Sequence, residues 1–124
     1  MSQAKARLTV GFHFESAHRM PNFPEGHPNA RLHGHSYAGD AVLEGDINPE
    51  SGFVADYDVV KQLVEQAALE LDHRYLNDVP NLGLPTSEHL ARWMYERLRQ
   101  ALPQLRAIVI RRGTLGMSVT YPID

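Results

Sequence analysis

Cysteine is absent from the 124-residue chain, and this excludes a disulfide framework, a thiol nucleophile and a cysteine-ligated zinc site. A continuous apolar run of about 18 residues is also missing, so we expect no transmembrane helix and no membrane partner. The charge balance is nearly even, because 12 Lys and Arg stand against 15 Asp and Glu, a net charge of −3. A chain without excess positive charge lacks the field that drives phosphate-backbone binding, so we expect no nucleic acid partner.

Residues 1–7 contain no apolar h-region, so we expect no secretory signal and a cytoplasmic protein. Hydrophobic residues make up 43% and charged residues 22% of the chain, proportions typical of a folded soluble protein. The length predicts one domain over residues 1–124. Seven histidines remain as candidate metal ligands, because neutral imidazole is the commonest protein ligand for metals.

Alternating apolar residues predict a first strand over residues 8–15, with Leu8, Val10, Phe12 and Phe14 on one face. A proline-dense loop without regular structure is expected next. The turn residues Asn48–Gly52 are expected to close a hairpin after a second strand. The proline-dense loop covers residues 20–30, and the other strands are expected at residues 32–45, 106–111 and 117–121.

Helical periodicity predicts two helices in the middle of the chain. Asp56 is a candidate cap for the first helix, and Thr86 or Ser87 for the second, which we expect to continue to Pro103. The apolar stripe of the first helix consists of Val60, Leu63, Val64, Ala67, Ala68 and Leu71. Strands and helices are grouped rather than alternating, which predicts an α+β fold with an antiparallel sheet covered on one face by two helices.

The segment His33-Gly34-His35 is the first candidate site. Residues i and i+2 of a strand point to the same side, so the two imidazoles can hold one ion. A catalytic zinc needs a third protein ligand, for which His18 and His27 are both candidates. The alternative interpretation is two surface histidines that lie beside a turn by chance.

Three further segments could take part in chemistry. Asp72 can orient His73 as a general acid or base, although an adjacent Asp and His at a helix end also occur without function. The segment 85–88 can cap a helix, present free amides to a ligand, or do both, with the Glu88 carboxylate holding a polar ring. Arg111 and Arg112 can bind a phosphate or carboxylate, or form a solvated strand end.

Taken together, these segments resemble the 6-pyruvoyl-tetrahydropterin synthase and 6-carboxytetrahydropterin synthase family. The resemblance covers nearly the whole chain in the right order, and it is greatest to the bacterial 6-carboxytetrahydropterin synthases of queuosine (7-deazaguanine) biosynthesis. The matching segments are 14–19 (FESAHR), 26–27 (GH), 31–37 (RLHGHSY), 52–57 (GFVADY), 71–77 (LDHRYLN) and 85–88 (PTSE).

The resemblance implies a tunnelling fold, with a four-stranded antiparallel sheet, two helices on one face, and a barrel closed by three subunits. Two trimers would stack into a homohexamer with sites between subunits. It also implies a zinc-dependent lyase that acts on 7,8-dihydroneopterin triphosphate and releases acetaldehyde and triphosphate. The implied zinc ligands are His18, His33 and His35, and the implied acid–base pair is Asp72 with His73.

Two positions depart from the family pattern. Asn29 stands where the family has a base cysteine, and an amide cannot serve as that base. Arg112 stands where the family has a glutamate that anchors the pterin edge. Glu88 could take over part of the ring recognition, and Glu25 in the proline-rich loop could replace the base.

Four functions therefore remain open from the sequence. The first is the zinc-dependent lyase, with Thr86, Ser87, Glu88 and Arg112 binding the substrate. The second is a diverged paralogue with another substrate, in which Arg111 and Arg112 bind an anionic group. The third is a catalytically silent, metal-containing binding protein, and the fourth is an oligomer with incidental histidines.

Overall fold

Four strands form a single antiparallel sheet in the order β1-β2-β3-β4, and two helices pack on it. The structure is a computed structural model that describes residues 4–124. The first three residues, part of the segment in which no secretory signal is expected, lie outside the described residues. The elements are β1 (Lys5–His18), β2 (His33–Asp46), α1 (Tyr57–Leu69), α2 (Ser87–Leu98), β3 (Leu105–Arg112) and β4 (Ser118–Tyr121). The expected α+β class, strand number and helix number are confirmed.

Strand β1 owes its two faces to the alternation seen in the sequence. Phe12, Phe14, Ser16 and His18 are buried, while the residues between them face outward. β1 pairs with β2 along its whole length, from Lys5 opposite Asp46 to His18 opposite His33. Because side chains alternate with a period of two, this register brings one end of the buried stripe next to the histidines of β2.

The core lies between the sheet and the two helices. Apolar side chains of α1 and α2 pack on the inner face of the sheet, where Phe14, Leu43 and Ile108 are fully buried. Complete burial of a side chain of this size stabilises the fold by about 1.5–3 kcal/mol. The buried helix residues are Val60, Val64, Ala67 and Ala68 in α1 and Leu90, Ala91, Met94 and Leu98 in α2. Within residues 4–124, neither helix is long and apolar enough to cross a membrane.

Both helices begin at side-chain caps. The Asp56 carboxylate accepts hydrogen bonds from the amides of Asp58 and Val59 at 3.0 and 3.2 Å, which confirms Asp56 as the cap of α1. The Thr86 hydroxyl accepts from the amide of His89 at 3.1 Å. Of the two candidates for α2, Thr86 is therefore the cap, and Ser87 is the first helical residue.

Two expectations about boundaries are wrong. α2 ends at Leu98 rather than at Pro103: residues 99–101 form turns, and the amide of Leu102 donates to the carbonyl of Leu98. The segment Asn48–Gly52 closes no hairpin. Its Asn48 side chain accepts from the amides of Glu50 and Ser51, and this turn leads into α1 instead.

The hairpin of β1 and β2 is closed instead by the proline-rich loop. That loop is more regular than expected, since it contains a short 3-10 helix at Pro28–Ala30 with His27 as its cap. Proline suits this place because the first position of a helix needs no amide donor.

Gly39 provides a test of the register. It lies opposite Phe12 on β1, and a Cβ added there would clash with the backbone carbonyl oxygen of Val109 on β3 and lie 2.5 Å from the Phe12 ring. We expect Gly39→Ala to lower the free energy of unfolding by about 1–3 kcal/mol, the usual cost of overpacking, in a urea titration. Gly11→Ala is the matched control, because an added Cβ there meets only ordinary contacts from 3.7 Å. Equal stability of the two variants would contradict the packing described here.

Candidate metal centre

Three histidines meet at one end of the inner sheet face. His18 ends β1 and lies directly opposite His33, the first residue of β2, while His35 follows two positions later on the same side. The candidate ligand atoms of these residues all lie within 4.8 Å of one another. The ring centroids are 4.6, 4.8 and 4.9 Å apart, and the rings meet edge to face. The expected juxtaposition of the two strand histidines with His18 is therefore present.

Backbone carbonyls determine which nitrogen of two rings is free. The Nδ1 atom of His18 lies 2.8 Å from the carbonyl oxygen of Pro85, and that of His33 lies 2.7 Å from the carbonyl of Arg31. Each Nδ1 must carry its proton to donate to a carbonyl, which leaves the lone pair on Nε2. Such second contacts orient histidine ligands in metal sites.

The two free nitrogens face each other. Nε2 of His18 and Nε2 of His33 are 3.1 Å apart, and two lone pairs at this distance repel unless a cation lies between them. Tetrahedral zinc with bonds of about 2.0–2.1 Å separates its ligand nitrogens by about 3.3 Å. The three imidazoles, and the spacing of this pair, therefore fit a divalent metal.

Burial keeps two of the rings neutral. His18 is only 3% exposed, and desolvation is the main cause that lowers its pKa. Burial, followed by the charge of Arg112, lowers the pKa of His35 to about 4. These rings are therefore in their metal-binding protonation state at neutral pH.

His27, the alternative third ligand, lies outside this cluster. Its Nδ1 accepts from the amide of Asn29 at 3.0 Å, and its ring lies 4.5 Å from that of Phe23. His27 therefore stabilises the loop before β2, and His18 is the histidine that the fold brings to the pair.

A cavity of about 180 Å³ adjoins the triad. His18 and His33 line it together with all four residues expected to bind substrate, which are Thr86, Ser87, Glu88 and Arg112. Asn29 and Tyr37 also line it. Sequence reasoning missed Tyr37, although the spacing of His33, His35 and Tyr37 on one strand places all three on the same face.

Asp72 and His73 lie elsewhere, along the free edge of β1. Nδ1 of His73 is 2.8 Å from the Asp72 carboxylate, whose other oxygen accepts from the amide of Glu15. The hydrogen bond and charge of Asp72 raise the pKa of His73, and the bond from Glu15 is the main cause that lowers the pKa of Asp72. Among the described residues, the cavity beside His18 is lined by neither member of this pair. His73 lines a wider concavity together with Glu15, Ser36 and the triad residue His35.

The family assignment follows from comparison of this chain with known proteins. Residues 7–122 match the family model described as 6-pyruvoyl tetrahydropterin synthase. The chain belongs to this family.

Its relatives in the family carry different names. A dihydroneopterin monophosphate aldolase of Pyrococcus furiosus is 37% identical over 101 residues, which cover 80% of each chain. A 6-carboxy-5,6,7,8-tetrahydropterin synthase of Synechocystis sp. is 38% identical over 105 residues, also covering 80% of each chain. The structure of the Caenorhabditis elegans 6-pyruvoyl tetrahydropterin synthase superposes with a TM-score of 0.86 at 24% identity, covering 100% of this chain and 99% of that one. The tunnelling fold is thus confirmed.

The two adjacent arginines on β3 have different surroundings in this family member. Arg111 lies on the outer face, where its guanidinium is 2.7 Å from the Asp40 carboxylate. Arg112 lies on the inner face and donates to Nε2 of His35 at 2.9 Å. The two arginines therefore do not form a joint anion site, and only Arg112 reaches the cavity.

The triad makes a prediction about bound metal. We expect the wild-type protein to bind one divalent ion per chain and His18→Ala to lose it, as measured by elemental analysis after dialysis. His27→Ala is the matched control and is expected to keep its metal, because His27 lies outside the triad. Retention of metal by His18→Ala would refute the assignment of this ligand.

The pair at the edge of β1 makes a second prediction. Asp72→Asn removes the negative charge next to His73 but retains an oxygen that can accept from Glu15. We expect the pKa of His73 to fall, as measured by an NMR titration of the imidazole resonances. At neutral pH the protonated fraction of His73 then decreases. An unchanged titration midpoint would show that Asp72 does not control this ring.

Proposed function

We propose that the chain is a zinc-dependent lyase of the 6-carboxytetrahydropterin synthase type, acting on 7,8-dihydroneopterin triphosphate in the cytoplasm. The reaction would supply a precursor of queuosine (7-deazaguanine). The observation that carries the proposal is the convergence of His18, His33 and His35 beside a cavity lined by the N-terminus of α2. The Synechocystis relative, named 6-carboxy-5,6,7,8-tetrahydropterin synthase, supports the choice of reaction.

In this proposal the three imidazoles hold the metal through their lone pairs. Bound zinc supplies Lewis acidity at the vicinal oxygens of the substrate side chain, which makes the neighbouring C–H group more acidic. The hydrogen bonds of His18 and His33 to carbonyl oxygens keep these ligands oriented. Thr86, Ser87, Glu88 and Arg112 bind the rest of the substrate.

His73 delivers or accepts protons in the proposed reaction, and Asp72 orients it. The hydrogen bond of 2.8 Å and the raised pKa of His73 suit a general acid or base close to neutral pH. An exposed position at the edge of β1 suits a group that serves a site on a neighbouring subunit.

A homohexamer, built as a dimer of trimers, is the proposed assembly. β1 and β4 are the edge strands of the sheet, and long unprotected edges tend to pair with another chain. Closure of three sheets into a barrel would cover these edges. It would also allow Asp72 and His73 of one subunit to complete the metal site of another.

The general base of the proposed reaction is Glu25. Asn29 lines the cavity, but its amide has no basic lone pair that could remove a proton. Glu25 is exposed in the loop that also carries Asn29, and a carboxylate is a competent base. Motion of this loop would be needed to bring Glu25 to the substrate.

Asn29 also favours a second candidate function. A cavity with a metal triad but no base would make a catalytically silent protein that binds a pterin-like ligand. A third candidate is a diverged enzyme with another substrate, and the aldolase name of the Pyrococcus furiosus relative supports a phosphorylated dihydroneopterin as that substrate.

Turnover tests the proposed function directly. We expect zinc-loaded protein incubated with 7,8-dihydroneopterin triphosphate to release acetaldehyde and triphosphate, as followed by chromatography. His73→Ala and Glu25→Gln are expected to lower kcat by at least about 100-fold, because each removes a proton-transfer group. His89→Ala is the control, since the His89 ring is hydrogen-bonded to the carbonyl oxygen of Leu84 and lies outside the triad.

The outcomes separate the candidate functions. Absence of acetaldehyde from fully zinc-loaded protein would refute the proposed reaction. Cleavage of dihydroneopterin monophosphate under the same conditions would then favour the diverged enzyme, whereas ligand binding without turnover would favour the silent protein. Full activity of Glu25→Gln would exclude Glu25 as the base.

A further inference from the structure

Tyr37 and Arg112 form a pair of hydrogen-bond donors on the wall of the cavity. Tyr37 on β2 lies directly opposite Arg112 on β3, and both side chains line the cavity beside the triad. Tyr37 is only 2% exposed, and among the described residues no group accepts a hydrogen bond from its buried hydroxyl. A buried hydroxyl without a partner is unfavourable, and a ligand atom that accepts from it removes this cost.

Metal binding leaves Arg112 without its acceptor. The guanidinium donates to Nε2 of His35, but a neutral imidazole has only one lone pair. When His35 ligates a metal, the metal takes that lone pair, whichever nitrogen binds. Among the described residues, the ion pairs do not include Arg112, whereas Arg111 is paired with Asp40. In the loaded site, the guanidinium therefore needs a new acceptor.

Both groups demand oxygen acceptors on the ligand. The phenol of Tyr37 carries a proton that it can donate in a hydrogen bond. The guanidinium is always charged, and its planar array of N–H groups matches a carboxylate or a phosphate. The N-terminus of α2, where Ser87 and Glu88 line the cavity, adds a favourable dipole for a negative group. The Glu88 carboxylate can accept hydrogen bonds from a different part of the ligand.

We propose that Arg112 and Tyr37 form a subsite for an oxyanion of the ligand, either a carboxylate or a phosphate. This subsite selects an acidic pterin-like ligand over a neutral one. The proposal rests on the proposed function, because it assumes the same cavity and a metal held by His35.

Binding measurements on the full-length, zinc-loaded protein test this subsite without the need for turnover. The probes are pterin and 6-carboxypterin, which differ by one carboxylate, and dihydroneopterin and its monophosphate, which differ by one phosphate. We expect an acidic probe to bind more tightly than its neutral counterpart in a fluorescence titration. Arg112→Gln is expected to weaken the binding of that acidic probe by about 10- to 100-fold, and Tyr37→Phe by about tenfold. Binding of the neutral probes is expected to stay unchanged.

Arg111→Gln is the matched control, since Arg111 is the neighbouring arginine but lies on the outer face. Zinc content is measured for every variant, so that a change in metal loading is not mistaken for a change at the subsite. Loss of selectivity in Arg112→Gln but not in Arg111→Gln would support the proposal. The probe pair that shows this loss identifies the oxyanion as a carboxylate or a phosphate.

The proposal is overturned if wild-type protein binds the neutral and acidic probes equally. It is also overturned if Arg112→Gln weakens the binding of all probes by the same factor. Arg112 would then maintain the shape of the cavity rather than recognise the negative group of the ligand. Arg112-dependent binding of an acidic probe without release of acetaldehyde would refute the proposed reaction and leave the subsite intact. Release of acetaldehyde without preference for the acidic probes would refute the subsite and leave the proposed reaction intact.

Discussion

The pairing of β1 with β2 is the constraint on which the site depends. Their register places His18 opposite His33 and Ser16 opposite His35, so that the histidines share the inner face. A slip of one residue would turn the side chains of β1 to the other face of the sheet. The buried rings of Phe12 and Phe14 oppose such a slip, because exposing them would cost several kcal/mol of hydrophobic stabilisation. The core thus holds the three candidate metal ligands in place.

Groups outside the triad also orient these histidines and keep them neutral. The carbonyls of Pro85 and Arg31 hold protons on Nδ1 of His18 and His33, and burial keeps His18 and His35 neutral. Pro85 immediately precedes Thr86, the cap of α2. The start of one helix therefore orients a ligand, lines the cavity and directs its dipole toward the same space.

The separation of Asp72 and His73 from the triad connects chemistry with assembly. The chain at residues 73–75 continues the sheet along the free edge of β1, since the amide of His73 donates to Glu15 and the amide of Ala17 to Arg74. The pair is therefore held rigidly at the border of the subunit. In the proposed function, this pair serves the metal site of a neighbouring subunit, whose sheet would pair with the uncovered part of an edge strand.

Local patterns in the sequence were sufficient to predict the strands, the cap Asp56, a cap at Thr86 or Ser87, and the shared face of His33 and His35. These features depend on side-chain alternation and on hydrogen bonds between residues close in the chain. The resemblance to a family then favoured His18 over His27 as the third ligand and implied that Asp72 and His73 act as an acid–base pair. Local patterns did not predict the end of α2 at Leu98, because helical periodicity continues to Leu102 although Pro103 disfavours the helix there.

Spacing along the chain left two third-ligand candidates open. The tertiary structure supplies the physical reason for His18, because the register of two strands brings it within reach of His33, while His27 bonds within its own loop. The tertiary structure likewise decides the surroundings of the two arginines. Arg111 forms an ion pair with Asp40, whereas Arg112 lines the cavity and lies opposite Tyr37. These contacts join residues up to 77 positions apart, as with His35 and Arg112, and their geometry arises only when the sheet assembles.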